Sequence, residues 1–124
     1  MAEWLELETD LLFVYGNLRR GFPLHHHLRR LGAEFVGAGK VRAELLDRGK
    51  FPGARKSGRP GKTVVGEVYR LAVPAKAVKV LDAVEGFTPQ TPRRSLFQRA
   101  TTEVALANGE RRWAWIYWRH DKPA

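Results

Sequence analysis

Two short stretches hold residue types at spacings that could do chemistry. The first is Val78-Lys79-Val80-Leu81-Asp82-Ala83-Val84-Glu85-Gly86-Phe87. Glu85 falls on the same helical face as Val78 and Leu81, and Gly86 makes it the last turn of a helix. A carboxylate there meets the negative end of the helix dipole and apolar neighbours such as Phe87. Both disfavour ionisation, so its pKa is expected to rise toward the range useful to a general acid/base near neutral pH. The plainer alternative is a surface Glu held in a salt bridge by one of the chain's many Arg residues. Asp82, three residues earlier, is expected to point toward solvent or a loop N–H. The second stretch is Val14-Tyr15-Gly16-Asn17-Leu18-Arg19-Arg20-Gly21, where a buried strand ends abruptly in a Gly-Asn turn. Gly and Asn tolerate unusual backbone angles, so consecutive N–H groups at 16–18 could converge on a carboxylate or a developing oxyanion. An ordinary strand-to-loop turn has the same sequence signature.

Other motifs fail on spacing. Gly61-Lys62-Thr63 resembles the end of a phosphate-binding loop, but that motif needs Gly where Lys56 stands. Gly37-Ala38-Gly39 lacks the third Gly of a dinucleotide fingerprint, because Arg42 occupies its place. His25-His26-His27 are adjacent, whereas chelation from one helix wants residues four apart, so a metal site is not expected. There is no Gly-x-Ser-x-Gly elbow for a serine hydrolase.

The elements that must position these residues follow from the pattern around them. Leu11–Tyr15 is a continuous apolar run and predicts a buried central strand. Leu24, His27/Leu28 and Leu31 recur at helical spacing between Pro23 and Gly32. Residues 35–46 predict a strand in which Gly37 and Gly39 mark a bulge or a close backbone approach. Residues 47–62, rich in Gly and Pro, predict a loop, and 63–73 the next strand. Pro74 opens the helix that carries Glu85, and 87–94, with Pro89 and Pro92, predicts a second loop. Residues 96–107 and 111–118 flank Asn108-Gly109, a strong hairpin signal. The order β, α, β, β, α, β, β points to an α+β domain, either a curved mixed sheet or a small barrel, rather than a doubly wound fold.

Composition narrows the setting. With 124 residues the chain has room for one domain, 1–124, with tails at 1–10 and 119–124. Cys is absent, which excludes disulfide scaffolds, thiolate nucleophiles and Cys-ligated zinc. The acidic start is unlike a secretory signal, and no apolar run approaches the roughly 18–20 residues that span a bilayer. A cytoplasmic protein with no membrane partner is therefore expected. The net charge of +9 is unevenly placed: residues 1–18 hold four acids and no base, whereas 47–62 concentrates Arg48, Lys50, Arg55, Lys56, Arg59 and Lys62. Such a stretch could track phosphates, with Trp residues as stacking surfaces. No nucleic-acid motif accompanies it, so nucleic acid is not the expected partner.

Taken in order, Tyr15-Gly16-Asn17-Leu18-Arg19-Arg20-Gly21, Phe51-Pro52-Gly53-Ala54, Val65-Gly66-Glu67-Val68-Tyr69 and Leu81-Asp82-Ala83-Val84-Glu85-Gly86 resemble the gamma-glutamylcyclotransferase-like family. That family includes gamma-glutamylamine cyclotransferases and plant avirulence-induced relatives, and the likeness runs from about Phe13 to Trp118. The resemblance implies a small mixed-sheet barrel with a cavity, flanked by two short helices. In it Tyr15, Gly16, Asn17 and Leu18 would grip a substrate's glutamyl moiety and Glu85 would be the general acid/base. The reaction implied is cyclisation of a gamma-glutamyl amine or peptide to 5-oxoproline, with no metal or cofactor. Three departures bear on the substrate: Asn17 stands where Ser or Thr is more usual, Phe97 stands where a Tyr is frequent, and the 87–94 loop is short and Pro-rich. The competing expectation is a non-catalytic binding or regulatory module of the same fold that uses the basic 47–62 stretch for an anionic partner. The sequence leaves the oligomeric state open.

Overall fold

The computed structural model describes residues 9–46, 53–91, 95 and 97–119. Six strands and two helices follow the chain: β1 (Leu11–Val14), α1 (His25–Arg30), β2 (Glu34–Leu46), β3 (Gly53–Lys56), β4 (Thr63–Arg70), α2 (Pro74–Glu85), β5 (Phe97–Leu106) and β6 (Arg111–Arg119). The sheet runs β3-β2-β4-β1-β6-β5, and β2 also pairs with β5. That last pairing closes β2, β4, β1, β6 and β5 into a five-stranded barrel. All pairings are antiparallel except β1 with β6, where Leu12 lies opposite Trp115. The sheet is therefore mixed, as the sequence predicts.

The continuous apolar run of β1 is explained by burial on both faces. Leu11 and Phe13 point into the barrel, where they meet Val41, Val68, Val104, Ala114 and Ile116. Leu12 and Val14 point outward to a second core with Leu28 of α1, Ala77, Val78 and Leu81 of α2, and Trp115 and Tyr117 of β6. Phe13 can lie flat against β4 because Gly66 carries no side chain there: a Cβ at 66 would sit 2.7 Å from the Phe13 ring and would strike the Val14 carbonyl. α2 stops at Gly86, which adopts the left-handed conformation (φ 73°, ψ 28°) that an L side chain resists, and so Glu85 sits at the helix end.

Three expectations change. The 47–62 stretch is not all loop, since Gly53–Lys56 forms β3 and pairs with β2 from Ala43 to Leu46; residues 47–52 lie outside the described residues. The strand predicted over 63–73 ends at Arg70, because Pro74 commits the chain to α2. Thr9, Asp10 and Arg119, placed in the tails, belong to the barrel. Thr9 donates its hydroxyl to the Trp113 carbonyl at 2.8 Å and accepts the Trp115 indole N–H at 2.8 Å. Asp10 accepts the Leu71 N–H at 2.7 Å, and Arg119 pairs with Phe97 at the end of β6. The irregularity expected around Gly37 is present, as a register shift against β4 between Phe35 and Gly37. No described helix is long and apolar enough to cross a membrane.

Candidate active site

At the end of β1 the chain leaves the barrel through Tyr15-Gly16-Asn17-Leu18, and the end of α2 faces it. Between them lies a cavity of about 290 Å³, lined by Phe13 to Leu18, Leu24, Val84, Glu85, Phe97 and Tyr117. That volume is at the small end of the ~300–1,000 Å³ found for small-molecule sites. All five residues singled out in the sequence, Tyr15, Gly16, Asn17, Leu18 and Glu85, line this one cavity.

Glu85 sits there without compensation. Among the described residues no cation and no hydrogen-bond donor meets its carboxylate, and none forms the salt bridge of the alternative reading. Burial alone pushes its pKa from the ordinary carboxylate value up to about 7. Its neighbours feel it: Tyr15 is pushed up to about 12, first by burial and then by the Glu85 charge. Tyr117 is driven upward chiefly by burial and by its bond to Asp82, with Glu85 adding to both.

The loop opposite is held by bonds that leave its own N–H groups open. The Gly16 carbonyl accepts the Arg19 N–H at 3.1 Å and the Asn17 carbonyl accepts the Leu24 N–H at 3.0 Å. The Leu18 carbonyl accepts from His25 Nδ1 at 2.9 Å. The Arg20 N–H and the Tyr69 hydroxyl both donate to Glu67 Oε1, at 3.0 and 2.9 Å, which ties the loop to β4. Within the described residues no protein acceptor takes the N–H of Gly16, Asn17 or Leu18. The geometry behind this differs from the expectation. Neither Gly16 nor Asn17 has a positive φ, and the left-handed residue of the loop is Gly21 at φ 84°. The donors stay open because the turn is closed by its carbonyls, not because the backbone is inverted.

Tyr15 does a structural task that spacing could not reveal. Its hydroxyl donates to the Tyr117 carbonyl at 2.6 Å and accepts the Ala54 N–H at 3.0 Å, bridging β6 and β3. What it offers the cavity is therefore its ring.

Asp82 corrects the expectation of a solvent-facing acid. Its side chain is 8% exposed and receives a two-point contact from Arg99, Nε at 2.8 Å and Nη2 at 3.3 Å, with the Tyr117 hydroxyl at 2.6 Å. The Arg99 guanidinium in turn lies 4.9 Å above the Trp115 ring. This network fastens α2, one turn before Glu85, to β5 and β6. Tyr117, Phe13, Leu24 and Val84 were not singled out in the sequence. The alternation Trp113, Trp115, Tyr117 along β6 was the one signal that could have placed Tyr117 on the helix-covered face. The three adjacent histidines divide: His25 bonds to the Leu18 carbonyl, whereas His26 bonds to that of Pro23 and its ring lies 4.1 Å from that of His27. Among the described residues no group of three or more His, Asp or Glu could hold a metal ion.

Known proteins resemble this chain in sequence and in fold. Residues 12–124 match the family described as gamma-glutamyl cyclotransferase, AIG2-like. A Drosophila melanogaster protein provisionally named a gamma-glutamylcyclotransferase is 31% identical, over 94% of this chain and 73% of its own length. A similarly named Methanocaldococcus jannaschii protein is 28% identical over 87% of this chain and 82% of its own. The crystal structure of an AIG2-like protein from Mus musculus superposes with a TM-score of 0.72 at 25% identity, covering 93% of this chain and 79% of that one. YkqA from Bacillus subtilis gives 0.70 at 24% identity over 91% of this chain, which spans about a third (36%) of the Bacillus protein. With its barrel, cavity and Glu-bearing helix in place, this chain belongs to the gamma-glutamyl cyclotransferase, AIG2-like family.

Proposed function

We propose that the chain releases 5-oxoproline and an amine from a gamma-glutamyl amine or peptide by intramolecular cyclisation. The observation that carries this reading is the Glu85 carboxylate, which has no partner among the described residues and is buried to a pKa of about 7, in a cavity whose opposite wall presents N–H groups that no described acceptor takes. The α-amine and γ-carbonyl belong to one molecule, so holding the glutamyl group folded brings the reacting atoms together with little further entropy to lose. Glu85 takes a proton from the α-ammonium, and the amine nitrogen then attacks the γ-carbonyl carbon. The N–H groups of residues 16–18 receive the carboxylate or the oxygen that becomes negative during attack. The C–N bond to the leaving amine breaks as Glu85 returns the proton to that nitrogen. The ring nitrogen, cationic after attack, then gives its second proton to Glu85 and on to the amine, so 5-oxoproline leaves as the lactam and the amine as an ammonium ion. A positioned acid/base of this kind is typically worth about 10²–10⁴ in rate. Leu24, Val84 and Phe97 give the rest of the cavity an apolar wall, which favours an amine half with hydrocarbon surface.

A panel of gamma-glutamyl amines, peptides and amino acids, scored by mass spectrometry for 5-oxoproline, tests the reading. Release from at least one member, lowered a hundredfold or more in Glu85→Gln, is expected. Turnover unchanged by that substitution removes Glu85 from the chemistry, and a panel with no product favours the non-catalytic binding module.

A further inference from the structure

A second cavity, of about 490 Å³, lies where the barrel seam opens and shares no lining residue with the first. β2 and β5 are paired only at Gly39 with Leu106 and Lys40 with Ala105. Beyond Lys40 the two strands part, and the cleft between them is walled by Lys40, Arg42 and Thr63 on one side and by Thr101, Thr102 and Trp113 on the other, with Lys56 closing one end.

The charges in this cleft are unbalanced. Glu103, its one acid, is already bound to Arg111 at 3.3 Å. Lys40, Arg42 and Lys56 form no ion pair with any described carboxylate. In contrast, the neighbouring basic residues Arg55 and Arg59 both reach Glu44, at 3.7 and 3.4 Å. Three like charges around one hollow repel one another and are relieved by an anion. Beside them the Trp113 side chain is 59% exposed, on a strand whose next two inward and outward positions are all buried. A large indole left open next to cations that no described carboxylate neutralises fits a ligand that is anionic at one end and flat and unsaturated at the other. Hydroxyls of Thr63, Thr101 and Thr102 add donors for phosphate or sugar oxygens.

We propose that the cleft where β2 and β5 part binds a free nucleoside monophosphate, its phosphate among Lys40, Arg42 and Lys56 and its base stacked on Trp113. The basic stretch that stood out in the sequence thereby contributes through Lys56, at its strand end, while Lys40 and Arg42 come from β2. The site is independent of the cyclisation chemistry.

Calorimetric titration of the full chain with AMP, adenosine, ribose 5-phosphate and a short single-stranded oligonucleotide tests it, at one fixed ionic strength. AMP binding is expected, with ribose 5-phosphate and adenosine each weaker. Trp113→Ala should weaken AMP at least about fivefold, the low end of what base stacking contributes. Lys40→Ala with Lys56→Ala should weaken it about tenfold or more, as loss of charge-assisted contacts implies. All three substitutions are at exposed positions, and circular dichroism of the variants confirms that the fold is retained. Glu85→Gln should leave AMP binding unchanged. No AMP binding, or ribose 5-phosphate binding as tightly as AMP, overturns the proposal. So does AMP binding that is indifferent to Trp113 and to the lysines, or an oligonucleotide that binds more tightly per nucleotide than AMP.

Discussion

Burial holds Glu85 near pKa 7, so at neutral pH its acid and base forms are both populated, as a proton shuttle requires. The rate of 5-oxoproline release, measured as kcat/KM, should rise with pH through a midpoint near 7 and fall about tenfold per pH unit below it. A profile that stays flat down to pH 5 would exclude Glu85 as the base. The same residue weakens the fold over a defined window. In the unfolded chain its carboxyl ionises near 4.5, in the folded one near 7. Below about 4.5 both states keep the proton and nothing is lost. As pH rises toward 7 only the unfolded state releases it, so stability falls, and above 7 the full cost stands. Glu85→Gln removes the ionisation, so urea unfolding should show it more stable by up to about 3 kcal/mol at pH 8 and no different at pH 4. Helical spacing put Glu85 on the apolar face, and its apolar neighbours gave the direction of the shift, but the same pattern left a salt-bridged surface Glu open. It could not place Asp82, whose partners Tyr117 and Arg99 are 35 and 17 residues away in sequence.

At the scale of elements, α2 delivers Glu85 to the cavity, and the Asp82–Arg99–Tyr117 contact fixes where that helix lies. Arg99 is 15% exposed at its side chain, so removing its counter-charge strands a cation in the interior. Asp82→Asn should therefore cost about 3–5 kcal/mol of unfolding free energy, read from the shift in urea midpoint. The strands and helices with one strong period were legible in sequence: β1 from its apolar run, α2 from Pro74 to Gly86, and the β5–β6 hairpin from Asn108-Gly109. β3 was not. Gly53 has no side chain because it lies under the Phe97 ring and Arg119, and Ala54 is buried in the barrel core; amid Gly, Pro and basic residues so short a strand has no alternation to detect.

For the whole molecule, the closing contact between β2 and β5 depends on Gly39. A Cβ there would lie 2.7 Å from Val104 Cγ1 and 3.3 Å from the Ala105 carbonyl. Gly39→Val should force the seam apart and destabilise by about 1–3 kcal/mol, as overpacking does, measured by thermal or urea unfolding. The sequence left open whether the sheet closes at all, since closure joins residues about 65 apart that carry no mutual signal; the family likeness, not periodicity, implied the barrel. The parallel pairing of β1 with β6 carries a further consequence, for synthesis on the ribosome. Leu12 and its partner Trp115 are separated by most of the chain. Of the described strands β1, apolar on both sides, is made before the others, and β6, one of its two neighbours, is the last of them to be translated. Such long-range closure folds slowly and leaves a sticky segment uncovered meanwhile. The nascent chain should therefore draw on chaperones that shield β1 until β6 is released.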